Sequence, residues 1–389
     1  MQMTAAETVR SHLARIERAA ISMRQKALRG CVVADLTFME ICGTHTTTAF
    51  RTGLHSLLPT HIKLLSGPGC PVCVTAQPDI DQLINLAKTP NLTICTYGDL
   101  LRLPGNGGSL ENARSKGADI QIIYSPLDAL ALAKKQPQRE FIFAAVGFET
   151  TAPATAAAIL EAQALNLKNF SVLNTHKRVI PALSALLASN DLQLDGLICP
   201  GHVAAIIGCK PFRSLAKTHK IPCVITGFEQ THMSHALAIL AELTANQSHQ
   251  LSNAYPEAVP ETGNPTALAL IDEVFQPSTT NCRALGPIPH SGLQIRTHLA
   301  TYDATKKLNL PTLPDRSIPG CLCHKVILAT ATPPDCTLFA KACTPIHPIG
   351  PCMVSSEGTC SAHFKYNRNH IDRSNPASRG VSQKEAVLA

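Results

Sequence analysis

The sequence predicts an α/β protein with parallel sheets and flanking helices. Three observations carry this. Short apolar strands alternate with helices, each strand closing in a Gly- or Thr-rich loop, the pattern of parallel sheets joined by right-handed crossovers. A short echo, Val146-Gly147-Phe148-Glu149 and Thr226-Gly227-Phe228-Glu229, follows an apolar strand both times and suggests two related units. From about residue 285 the rhythm fades and cysteines crowd together, marking a third part.

Taken in order, Val9, Leu13, Ile16 and Ala20 recur at three- and four-residue spacing and predict an amphipathic first helix. Thr37–Ile41 runs into CGTHTTT, Ile62–Leu65 into SGPGCPVC, and Leu92–Cys95 into TYGDLLRLPGNGG. Ile120–Tyr124 precedes the helical SPLDALALAKK, and Phe141–Val146 runs into GFETTAPATAAAILEAQAL. Phe170–Leu173 leads to NTHK, Leu194–Cys199 to PGHVAAIIG, and Pro222–Ile225 to TGFEQTHMSHALAILAEL. Each unusual loop therefore falls at the carboxyl end of a strand, where ligands collect on open parallel sheets.

Composition narrows the function classes. The 389 residues suffice for two or three domains. Hydrophobic residues make up 45% and charged residues 16%, a folded composition. The net charge of +7 is spread thinly, and aromatics are 4% with no Trp, so no nucleic-acid partner is expected. The longest apolar runs, such as Phe141–Phe148, fall short of the roughly 18–20 residues of a membrane span, so no membrane association is expected. The N-terminus lacks a contiguous apolar signal core, and a cytoplasmic location is expected.

Fifteen cysteines in such a chain point to metal or thiol chemistry rather than disulfides. Cys31, Cys95, Cys199, Cys209, Cys223 and Cys282 are read as structural, several in apolar segments. Cys321, Cys336, Cys343 and Cys360 are spaced C-x14-C-x6-C-x16-C. Four thiolates suit a [4Fe–4S] cluster or a structural zinc, with Cys323 and Cys352 as alternative ligands. Cys70-Pro71-Val72-Cys73, in a Gly/Pro cradle, brings two sulfurs within reach of a disulfide. Cys42-Gly43-Thr44-His45 closes a strand and opens a helix, where amides favour a thiolate and His45 can serve as a base or as a partner behind a metal ligand. A soft thiolate beside an imidazole suits ferrous iron. Asp99, Glu149 and His202 also sit at strand ends, more in keeping with caps and loop anchors than with catalysis, and the His232/His235 pair is a minor metal candidate.

These motifs resemble the HypD family of hydrogenase maturation factors over about residues 10–366. The resemblance rests on FMEICGTHT (38–46), SGPGCPVCVT (66–75), TYGDLLRLPG (96–105), VGFETTAPATA (146–156), ICPGHVAAIIG (198–208), ITGFE (225–229) and CTPIHPIGPCMVSSEGTC (343–360). The family usually has a Trp before LGPIP, where this chain reads NCRALGPIPHSG. The resemblance implies α/β domains at 31–135 and 136–264. It implies a third, mostly helical or irregular, iron–sulfur part at 1–30 with 265–366, leaving 367–389 as a loose tail. It implies a [4Fe–4S] cluster on Cys321, Cys336, Cys343 and Cys360, a redox pair at Cys70 and Cys73, and iron held by Cys42. It further implies a small HypC-type partner, a HypE-type cyanide donor, and transient assembly of an Fe(CN)2CO unit passed to a [NiFe]-hydrogenase. An iron–sulfur-dependent thiol–disulfide oxidoreductase acting on a protein substrate is the alternative function, and a zinc-stabilised binding module without redox chemistry is a further one.

Overall fold

A computed structural model describes residues 3–27, 35–189 and 192–367. The expected structural Cys31 and nearly all of the expected tail lie outside the described residues. Two parallel sheets form the frame. The first has five strands in the order β2-β1-β7-β8-β9, namely Ile62–Ser66, Leu36–Glu40, Gly196–Pro200, Cys223–Thr226 and Leu251–Asn253. The second has four in the order β4-β3-β5-β6, namely Asp119–Ile122, Leu92–Thr96, Glu140–Ala145 and Phe170–Asn174. Helices flank both sheets, so central strands are buried on both faces and read as unbroken apolar runs. Phe38, Met39, Leu197, Ile198, Val224 and Ile225 fill the first core, and Ile94, Phe141, Ile142, Phe143 and Phe170 the second. Cys95, Cys199, Cys209, Cys223 and Cys282 are buried among them, as small core residues.

Strand pairing redraws the consecutive division expected at 135/136. β1 pairs with β7 and β3 with β5, so the first sheet is built from both ends of the α/β region and the second is inserted between β2 and β7. In chain order within each sheet, both follow the same winding, 2-1-3-4, with a fifth strand added in the first. That shared winding relates the two units. The GFE echo does not: it closes β5, third in its sheet, and β8, fourth in its own.

The third part is also smaller than expected. The helix Ala5–Ala27 buries Val9, Ile16 and Ala20 and lies on the helix Gln230–Ala245 of the first unit. Arg15 pairs with Glu242 at 2.8 Å, and His12 stacks on His235 with ring centres 5.0 Å apart. The helix Pro265–Val274 and the antiparallel hairpin of β10 (Phe275–Cys282) and β11 (Gly286–Ile295) cover the second unit, where Tyr302 Oη donates to Ala162 O at 3.1 Å. Helix 5–27 and residues 265–307 thus complete the α/β units, and the cysteine-rich segment 321–366 stands between them, on the helix Gly43–Arg51 and the turn Pro71–Val74. No helix among the described residues is long and apolar enough to cross a membrane.

Glu149 ends β5 as a loop anchor. Its carboxylate accepts the Val179 N–H at 3.0 and 3.2 Å, at the start of the helix Val179–Ala188. Burial pushes this carboxyl up to about 7. The folded state therefore keeps a proton that the unfolded chain releases above its ordinary value of 4.5. The stabilisation is full below that value and is lost as pH rises through about 7. Glu149→Gln should nearly match the wild-type thermal midpoint at pH 5 and exceed it at pH 8, where the stability gain is at most about 3 kcal/mol. A difference independent of pH would contradict this.

Candidate functional site

Each sheet reverses its winding at one point, between β1 and β7 in the first and between β3 and β5 in the second. Crevices at such points, outside the carboxyl strand ends, are the binding positions of this architecture. Cys42 leaves the end of β1, Gly201 and His202 leave β7, and Asp99 follows β3. The Ser355 hydroxyl lies 3.5 Å from Asp99 Oδ2, and two residues on, the Glu357 carboxylate accepts the Thr44 hydroxyl at 2.7 Å. The segment 355–358 therefore spans from one crevice to the other.

Close backbone approach brings three motif loops together. Gly69 packs so tightly on Ile41 and Cys42 that a Cβ there would collide with Cys42 N and Cα. A Cβ on Gly43 would run into Glu357, and one on Gly358 into the Cys352 carbonyl. The glycines of CGTH, GPGC and SSEG thus serve contact rather than turn geometry. Gly69→Ala should push Cys42 away from the Cys70 loop and lower hydrogenase maturation by roughly 10²-fold while leaving the cysteine-rich segment folded. Near-wild-type maturation would show that the contact is dispensable.

Cys42 caps the helix Gly43–Arg51 and is 8% exposed. Burial and the nearby Glu357 carboxylate push its thiol up to about 12, outweighing the amides of Thr44 and His45 that pull it down. The thiolate expected from the helix terminus is therefore not the resting form, and a bound metal has to displace the proton. Beneath it, burial pushes the fully enclosed Glu40 carboxyl up to about 8, where it takes hydrogen bonds from Thr46 Oγ1 at 2.5 Å and Cys42 N at 3.0 Å. His45 is fully buried, and burial holds it down to about 4, so it is neutral. Its Nε2–H donates to Gly227 O at 2.9 Å, which ties the Cys42 helix to the loop after β8.

The cysteines form a connected series. Cys73 Sγ lies 2.7 Å from Cys70 Sγ, which also accepts the Cys73 N–H at 3.3 Å. Cys352 interacts electrostatically with Cys73 and with Cys360, which places its thiol near both. Cys323 Sγ lies 2.7 Å from Cys352 Sγ. Sequence spacing presented Cys323 and Cys352 as spare ligands; the fold sets them side by side, between the Cys70/Cys73 pair and the other four. Cys321, Cys336, Cys343 and Cys360 line one enclosed pocket with Val326, Leu338, Phe339 and Met353, and Cys323 and Cys352 reach it too. Cys343 Sγ accepts the Ile349 N–H at 3.3 Å. Among the described residues no three Cys, His or carboxylate side chains are grouped to hold a single metal ion. An apolar-lined pocket bordered by these sulfurs, with an amide aimed at one of them, fits the donor set of an iron–sulfur cluster.

Other sequence candidates fall elsewhere. The His232 ring lies against Tyr255 and the His235 ring against His12. Glu357 went unremarked in the sequence because its motif reads as an ordinary Ser/Gly turn; only the tertiary contact with Gly43 and Thr44 marks it.

The chain is thus a doubly wound α/β protein whose sheet crevices are bridged by a cysteine-rich segment. Comparison places it in a family. The HypD family model, described as the hydrogenase formation hypA family, matches residues 15–367. The hydrogenase maturation factor HypD of Rhizobium leguminosarum bv. viciae is 41% identical over 339 residues, covering 85% of this chain and 88% of that protein. Its namesake from Cupriavidus necator is 40% identical over 361 residues, covering 90% and 94%. That from Azotobacter vinelandii is 40% identical over 356 residues, covering 89% and 94%. The chain belongs to the HypD family of hydrogenase maturation factors.

Proposed function

We propose that this chain is the scaffold and redox component on which an Fe(CN)2CO unit is assembled for a [NiFe]-hydrogenase. It works in complex with a small HypC-type protein and receives cyanide by way of a HypE-type donor. One observation carries the reading: the Cys42 crevice, the Cys70/Cys73 pair and the four-cysteine pocket are contiguous. Iron is the cargo. Cys42 offers it a soft thiolate ligand suited to iron carrying strong-field cyanide and carbon monoxide.

A [4Fe–4S] cluster would be held by Cys321, Cys336, Cys343 and Cys360, and when bound it supplies one-electron transfer. The protein's own thiols do the rest. Cys70 and Cys73, as a dithiol, release two electrons and two protons on closing to a disulfide. Cys352, which interacts with Cys73 on one side and with Cys323 on the other, lines the pocket together with Cys323, and this proximity supports electron passage between the pair and the cluster. A reducing cytoplasm keeps such thiols free.

Cys70→Ser and Cys73→Ser should each keep the iron–sulfur absorbance and stop hydrogenase maturation. Thiol titration against a redox buffer should lose one reversible two-electron couple in either variant. Normal maturation in both would remove the pair from the mechanism. Retention of dithiol–disulfide activity toward a general protein substrate, with no role in iron assembly, would favour an oxidoreductase instead.

A further inference from the structure

His202 leaves the carboxyl end of β7 as Cys42 leaves that of its neighbour β1, so the two border the same crevice. The Glu357 carboxylate acts on both of them. His202 is exposed, yet it is not loose. Its ring lies flat on Phe228, centres 3.8 Å apart and planes 23° from parallel. Phe228 lies in turn on His45, with centres 4.8 Å apart and planes 25° from parallel. His45 is itself fixed to Gly227 O. A ladder of three rings thus runs from the buried side of the Cys42 helix out to the crevice.

The ladder orients the outer imidazole through its faces and leaves its edge free. Among the described residues neither ring nitrogen of His202 has a hydrogen-bond partner. A donor held in place before its acceptor arrives costs no reorganisation when it is used. In the cargo proposed above, the nitrogen of an iron-bound cyanide is a strong acceptor, and the oxygen of carbon monoxide is a poor one. We propose that His202 donates a hydrogen bond to the nitrogen of a cyanide on the iron held at Cys42, and so orients cyanide relative to carbon monoxide. This rests on the iron-assembly reading.

The test is infrared spectroscopy of the anaerobically purified complex with the small partner, in H2O and in D2O. His202→Phe keeps a flat ring on Phe228 and removes the donor; His202→Gln keeps a donor. Wild type should show cyanide bands that move in D2O. His202→Phe should retain both sets of bands and bind the partner, with its cyanide bands displaced and insensitive to D2O and its carbon monoxide band moved less. His202→Gln should recover part of the D2O shift. Cyanide bands in His202→Phe with wild-type positions and D2O response would overturn the proposal. Loss of all bands in that variant, with partner binding intact, would also overturn it, because His202 would then be holding the iron. Absence of any such bands from wild type would overturn the iron-assembly reading and the His202 role with it, a result distinct from the other two.

Discussion

Cys336→Ala and Cys343→Ala should each abolish iron–sulfur absorbance and lower the thermal midpoint of residues 321–366 most of all. This segment has little regular structure to hold it. Its helices are short, at Cys323–Ile327, Pro351–Val354 and Thr359–Tyr366, and its own core is small, centred on Phe339 and Met353. Four sulfurs around one pocket are its main cross-link once a cluster is bound, and binding free energy of that kind is folding free energy. Losing one ligand gives up the cluster and leaves the remaining thiols around a void. Unchanged iron and sulfide content in both variants would show that the ligand set is wrong, and Cys323→Ala and Cys352→Ala would then test the other two sulfurs.

Cys42→Ala should lower hydrogenase maturation by more than about 10²-fold while keeping the cluster, the fold and partner binding. The side chain is small and sits at a helix cap, without a side-chain capping hydrogen bond of its own. Truncation removes a sulfur and little packing. The loss should therefore appear in iron binding and not in thermal stability. His45→Ala should do less to maturation and more to stability. It breaks the Gly227 hydrogen bond and the stack on Phe228, and so loosens the Cys42 helix without removing the iron ligand. A Cys42→Ala protein that matures hydrogenase normally would move the iron to the Cys70/Cys73 loop.

Much of this was legible before any coordinates. The alternation of strands and helices is local, and so are the motif loops, each of which lies at a carboxyl strand end. The order of strands was not legible. β1 and β2 read like the first half of a continuous domain, and nothing in LTFME or IKLLS says that their partner lies near residue 196 rather than near 92. The first helix shows an apolar stripe but not what it meets; Arg15 and Glu242 become a pair only when folded. What the sequence could not show at Cys42 is its resting protonation. The helix amides favour a thiolate, as the local sequence implies, but burial and Glu357, a residue far along the chain, outweigh them. Cys323 and Cys352 were visible as cysteines, and their pairing at 2.7 Å was not, because it depends on how two short helices cross the Pro71–Val74 turn.

The central claim is that the crevice at Cys42 holds iron carrying cyanide and carbon monoxide. Infrared spectroscopy of the anaerobic wild-type complex with its small partner, set beside the Cys42→Ala complex, tests it most directly. The account predicts separate cyanide and carbon monoxide stretching bands in wild type and none in the variant. Bands of wild-type intensity in the Cys42→Ala complex would contradict it.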